Sequence, residues 1–194
     1  MNMMKSICAA GLLAVSVPVL ADWQLDNSVS SLSLVSVKKN SVAEVHQFHK
    51  LSGTIGKDGV ATLTVDLGSV DSGIEIRDER MREFLFEVKK FPAAQVTVNF
   101  DAKALTALPV ASPVTMPVAA DLNLHGVTLK QKWELQVVKL SDDKLLVSTL
   151  KPVIVDANNF AMVAGINKLQ ELASLPSIAT AVPVTVNLLF SLEK

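Results

Sequence analysis

The side chains best equipped for chemistry are three histidines and a short run of charges. His46 and His49 stand in an HxxH arrangement, a spacing that suggests metal ligation. On an extended strand, however, residues three apart point to opposite faces, so the two imidazoles cannot converge without a bend. No metal is expected. His125, just before Gly126, is within reach of Asp121 or of a loop carboxylate. A hydrogen bond that fixes the turn is favoured for it over contact with the polar end of a ligand. Arg77 and Asp78, followed by Arg80 and Arg82, mark a charged junction. It reads as a network clamping a helix in place more readily than as a recognition site, because ion-pair networks commonly serve structure. There is no GxSxG elbow, P-loop, HExxH or dinucleotide fingerprint, so an enzyme is not expected.

These residues must be held by regular elements, and the stretch Ser69 to Phe100 organises them. Met81, Phe84, Leu85 and Val88 fall at i, i+3, i+4 and i+7, one stripe of an amphipathic helix. Ser72 and Glu75 offer a capping box, Lys89 and Lys90 occupy the last turn, and Pro92 forbids continuation. Burying the stripe contributes about 1.5 to 3 kcal/mol per residue. The helix alone would be marginal in water and needs a sheet to lie on. After Pro92 the period becomes 2, with Val96, Val98 and Phe100 on the inner face of a strand.

The same alternation recurs along the chain. Leu32 and Leu34 alternate with serines until the pattern slips at Val35, which suggests a bulge. A second strand covers 41–55, and Gly56-Lys57-Asp58-Gly59 turns into Ala61, Leu63, Val65 and Leu67. Pro109, Pro113 and Pro117 predict irregular structure over 102–118. Ala120, Leu122 and Leu124, then Trp133, Leu135 and Val137, form a hairpin about Gly126; a strand over 144–155, a short helix over 165–175 and a closing strand from Val182 to Phe190 follow. About eight hairpin-linked strands with one inserted amphipathic helix and a second short one near the C-terminus predict an all-β, antiparallel barrel or sandwich.

Composition narrows the function classes. Lys5 and the apolar run from Ile7 to Leu20, ending in Val19-Leu20-Ala21, read as a signal peptide over 1–21 cleaved after Ala21. The run is short for a membrane span of about 20 residues, so no stable membrane anchor is expected. The protein is then periplasmic or secreted. Residues 22–194 are expected to form one domain without cysteine, since the single Cys8 would leave with the cleaved segment, and this excludes disulfides, thiol nucleophiles and Cys-ligated metal from the exported protein. A formal charge of −1, with Lys and Arg dispersed among Asp and Glu, argues against nucleic acid.

Several motifs together resemble the YceI-like family of exported bacterial proteins. They are Trp23-Gln24-Leu25-Asp26, Ser72-Gly73, Arg77-Asp78-Glu79-Arg80-Met81-Arg82, Phe86-Glu87-Val88-Lys89-Lys90-Phe91-Pro92, Leu122-Asn123-Leu124-His125-Gly126-Val127-Thr128 and Val155-Asp156-Ala157-Asn158-Asn159-Phe160. Where the family usually reads two phenylalanines and Asp, this chain has Leu85-Phe86-Glu87, and Phe91 replaces the family's tyrosine. The resemblance implies a lipocalin-like barrel that holds a polyisoprenoid or similar long-chain lipid non-covalently, for carriage or sequestration, with no cofactor and no catalysis. Met81, Phe84 and Leu85, by default plain helix-to-sheet packing, become through the resemblance candidates for an apolar cavity wall, with Val98, Phe100, Leu122, Leu124, Trp133 and Leu135. Arg77, Asp78 and His125 become candidates for a head-group contact or a structural role.

Strand pattern alone does not choose between a hollow barrel and one filled with side chains. The rival readings are therefore a structural or interaction module with a filled barrel and, last, a hydrolase or isomerase acting on a lipid. Oligomeric state, a homo-oligomer included, stays open.

Overall fold

The computed structural model describes residues 22–193. The expected signal peptide lies outside them. Twelve strand segments and three helices follow one another within this range.

The segments pair antiparallel into a closed barrel, and most are halves of longer, broken strands. β1 (Trp23–Leu25) continues as β2 (Ser31–Lys38), and β3 (Val42–Phe48) continues as β4 (Leu51–Ile55). β1 pairs with β4 while β2 pairs with β3. In the same way β5 (Val60–Asp66) lies against β4, and its short extension β6 (Val70–Asp71) against β3. β7 (Ala93–Asn99), β8 (Pro113–Leu124), β9 (Val127–Ser141) and β10 (Lys144–Thr149) continue the wall. β10 and β11 (Val153–Asp156) both pair with β12 (Ala181–Leu192). β1 closes the ring, since Trp23 is opposite both Ile55 and Leu192. The twelve segments thus act as eight strands, the number at which a barrel is just wide enough to be filled or to hold one small ligand.

Three expectations need correction. β2 pairs with β3 at every position from Leu32 to Lys38, and Val35 sits opposite Val45, so there is no bulge. The chain breaks earlier, at 26–30, where Asp26 accepts the backbone N–H and hydroxyl of Ser28. Residues 102–118 are more regular than the prolines implied. α1 (Glu75–Arg80) is followed after β7 by a short α2 (Ala102–Thr106), capped by Asp101, and β8 begins at Pro113. β8 pairs with β9 along its whole length but with β7 only from Ala120 to Asn123. Pro113 and Pro117 therefore lie on a stretch with one open edge, where a missing N–H costs no ladder bond.

The third correction concerns the amphipathic helix. Its first residue follows Ile74, which supplies no side-chain cap, and the Ser72 hydroxyl instead accepts from Arg77 Nε. From Met81 to Leu85 the chain widens into a π turn, with the Phe86 N–H bonding to the Met81 carbonyl at 2.9 Å. It ends there, well before Pro92, because Glu87 takes a left-handed φ of 46°. The extra residue in the turn rotates everything after it, so Phe86 is buried where the 3.6-residue stripe placed Phe84. α3 (Val163–Leu172) packs across this π turn, with Gly165 lying directly against the backbone of Phe84 and Leu85.

Candidate functional site

The inward faces of the strands surround an apolar cavity of about 190 Å³. Its walls come from the alternating residues of nearly every strand: Leu32 and Leu34, Leu63 and Val65, Val96 and Val98, Leu122 and Leu124, Trp133 and Leu135, Val184 to Phe190. Thr62 and Thr149 are the two polar side chains in the lining. The barrel is therefore hollow, and its interior offers an apolar chain almost nothing but hydrocarbon contact.

A second cavity, of about 380 Å³, adjoins it on the helix side. Leu34 and Phe86 belong to both walls. Met81 and Leu85 from the π turn, Ile166 and Leu169 from α3, and Ile178 and Val182 beyond it give this vestibule its apolar side. Ile74 and Ile76 stand half exposed beside it. Phe86 meets Phe48 edge to face and forms part of the partition between the two spaces. A π turn inside a helix is often found at a functional site, and here it sets that ring in the partition.

The opposite side of the vestibule is polar. Ser36 and Lys38 from β2 and Glu44 and His46 from β3 line it, with Arg77 and Arg80 from α1. Lys38 Nζ and Arg77 Nη1 lie 2.8 and 2.7 Å from the same Glu44 oxygen. Hydrogen bonding from Lys38 is the main cause holding the Glu44 carboxyl below the usual carboxylate range, with Arg77 adding to it. His46 is 2% exposed, and its Nε2 is 2.7 Å from the Ser36 hydroxyl. Burial, reinforced by the Arg77 charge, pushes its pKa down and favours the neutral ring.

The anticipated site residues divide accordingly. Val98, Leu122, Leu124, Trp133 and Leu135 line the barrel cavity, whereas Met81 and Leu85 line the vestibule. Phe84 and Phe100 belong to neither lining. Phe84 is displaced by the π turn, and Phe100 lies one residue beyond the end of β7. Arg77 ties α1 to β3 through Glu44 and also donates to the Ser72 carbonyl. Asp78 is buried behind it, accepting the Ser72 N–H at 2.9 Å. His125 lies away from both cavities. Its Nε2 is 2.9 Å from the Glu87 carboxylate and its ring rests on Phe91, so the loop carboxylate, not Asp121, is its partner. His125 and Gly126 both have positive φ, the type I′ pattern of a two-residue hairpin. His46 faces the vestibule while His49 is exposed and bonds to Asp71. Among the described residues no group of three acidic, His or Cys side chains is placed to hold a metal.

The polar wall went unrecognised in the sequence, although a signal was there. Along β2 the inward residues change from Leu32 and Leu34 to Ser36 and Lys38, and along β3 from Glu44 and His46 to Phe48. The slip at Val35 is this inversion of polarity between one cavity and the next.

The model of the YceI-like domain matches residues 23–190. The chain belongs to the YceI-like family. Among solved structures, this YceI-like chain is similar to a polyisoprenoid binding domain from Saccharophagus degradans implicated in plant cell wall breakdown. The two share 40% identity over 88% of this chain and 98% of that one, with a TM-score of 0.86. BcnA of Burkholderia cenocepacia is 19% identical, covering 85% of this chain and 98% of its own, with a TM-score of 0.66. A YceI protein of Campylobacter jejuni is 14% identical over 77% and 84% of the two chains, with a TM-score of 0.55. The latter two likenesses concern the fold. No curated protein matches the YceI-like chain.

Proposed function

We propose that this YceI-like protein binds a long apolar lipid, a polyisoprenoid chain best of all, and carries or sequesters it without chemical change. The observation that carries the reading is the continuous hydrocarbon lining of the barrel, broken by two threonines alone. The polyisoprenoid-binding description of the 40% identical relative supports the ligand class. Magnitudes agree: a lipid of roughly forty heavy atoms at about −0.3 kcal/mol per atom gains on the order of −12 kcal/mol, nanomolar affinity, with no polar anchor.

Volume decides how such a chain must lie. Ligand pockets typically run from about 300 to 1,000 Å³; the barrel cavity of about 190 Å³ falls short, and the vestibule of about 380 Å³ adjoins it. A long chain therefore occupies both, passing Phe86. The protein does this work after export, in the periplasm or outside the cell, once residues 1–21 are removed.

Native mass spectrometry of the protein purified from its own compartment tests the proposal. The expected spectrum contains an adduct of lipid mass that organic extraction removes and added isoprenoid restores. A bare polypeptide that takes up no isoprenoid saturably would overturn it.

A further inference from the structure

The polar wall of the vestibule holds hydrogen-bonding capacity that the fold does not use. His46 is 2% exposed, and its Nδ1 is the buried side-chain polar atom left without a partner among the described residues. Buried polar groups are ordinarily satisfied, so such an atom in the wall of a cavity calls for an explanation. Around it, donors outnumber acceptors. One Glu44 oxygen receives both Lys38 and Arg77. The ammonium of Lys38 has three N–H donors, and its contact is with that single oxygen. Arg80 reaches the Leu172 carbonyl only at 3.3 Å. Three cations thus line the vestibule with one carboxylate, and Asp78, the next acid, is engaged behind the wall with the Ser72 N–H.

His46 Nε2 is 2.7 Å from the Ser36 hydroxyl, and both residues line the same space beside the three cations. The three cations of this wall outnumber its one carboxylate and leave N–H donors for the acceptor oxygens of a ligand. On the far side of Phe86 the barrel offers none of this. The two adjoining cavities therefore differ in kind, as the two ends of an amphiphile do.

We propose that Lys38, Ser36, His46 and Arg77 form the head-group site, taking an amphiphile whose head carries acceptor oxygens and no positive charge, its tail entering the barrel past Phe86. This deepens the lipid-binding proposal and rests on it. Phosphate and carboxylate heads share the required chemistry. An ammonium head meets three like charges and is refused.

The test uses four probes with one tail: geranylgeranyl phosphate, geranylgeranoic acid, geranylgeraniol and geranylgeranylamine. Binding is titrated through tryptophan fluorescence in a Trp23→Phe background, which leaves Trp133 in the barrel lining as the reporter. The phosphate and the acid are expected to bind at least about tenfold more tightly than the alcohol, with the amine weakest, as charge-assisted bonds exceed neutral ones. Lys38→Met and His46→Phe are each expected to cut that advantage of the anionic heads over the alcohol at least about threefold. Lys38 is a quarter exposed, so its variant carries the test even if His46→Phe folds poorly. Equal binding of all four probes, or an advantage unchanged in Lys38→Met, overturns the head-group site alone. Binding of none overturns the lipid-binding proposal with it.

Discussion

The ring of Phe86 meets that of Phe48 edge to face, with centroids 5.7 Å apart and planes inclined by 60°. Both rings line the barrel cavity, and Phe86 also faces the vestibule, so this pair stands where a bound chain must cross. Phe86→Ala removes a ring that is 6% exposed and should cost about 3 to 5 kcal/mol of stability in denaturant unfolding. The same variant widens the passage between the two cavities. Isoprenoids that wild type binds weakly for their length should then bind more tightly, and an unchanged length preference would show that Phe86 is not the partition.

Arg77 makes three side-chain bonds, one that ties α1 to β3 through Glu44 and two that fix the loop before α1, to the Ser72 hydroxyl and the Ser72 carbonyl. Hydrogen bonds involving a charged group contribute about 1.5 to 3 kcal/mol each when well buried, but Arg77 is a quarter exposed and solvent screening discounts them. Arg77→Met should lower stability by about 1 to 2 kcal/mol. Arg77→Lys restores the charge but not the fork, and should recover less than half of the loss. Urea titrations of the two variants check this, and full recovery by Lys would mean that charge alone matters.

Gly165 is the contact between α3 and the π turn. A Cβ there would collide with the Phe84 carbonyl oxygen and approach Leu85 Cα at 2.8 Å, both rigid backbone. Although Ala is the better helix former, Gly165→Ala should destabilise by about 1 to 3 kcal/mol through overpacking. Thermal melts decide it: a rise in the midpoint would mean that α3 does not rest on the π turn.

The barrel was legible in the sequence because a half-buried strand writes its inner face at period 2. The runs from Ala61 to Val65, from Leu122 to Leu124 and from Val184 to Phe190 come out as strands with their alternate residues lining the barrel cavity. The vestibule was not legible, for two physical reasons. A π turn inserts a residue into the helical period, so the stripe through Phe84 pointed to the wrong ring. The polar wall is built from inward residues that break the apolar pattern, so Ser36, Lys38 and Glu44 draw no attention and His46 reads only as half of an HxxH pair. Pro113 and Pro117 misled in the other direction, since an open edge is a tertiary fact that no local window contains.

His46 should also govern how stability depends on pH. Its pKa in the folded protein lies below the usual 6.5, first through burial and then through Arg77, with Glu44 and Asp78 pulling the other way and Lys38 adding to the depression. The folded state thus binds fewer protons at this ring than the unfolded chain does, and protonation favours unfolding. The stability that its neutral form contributes is complete above about pH 6.5 and is lost as pH falls through that value toward the lower folded one. Glu44, held below its usual 4.5, adds a separate loss only further into acid. Unfolding free energies measured from about pH 8 to pH 5 should be level at first and then decline below about 6.5 in wild type. In His46→Gln the decline should begin only near the carboxylate range, because Gln can keep the bond to Ser36 and has no proton to gain. A wild-type curve that stays flat between about pH 6.5 and 5 would show that the ring is protonated as readily folded as unfolded, and that the wall of the vestibule is open to water.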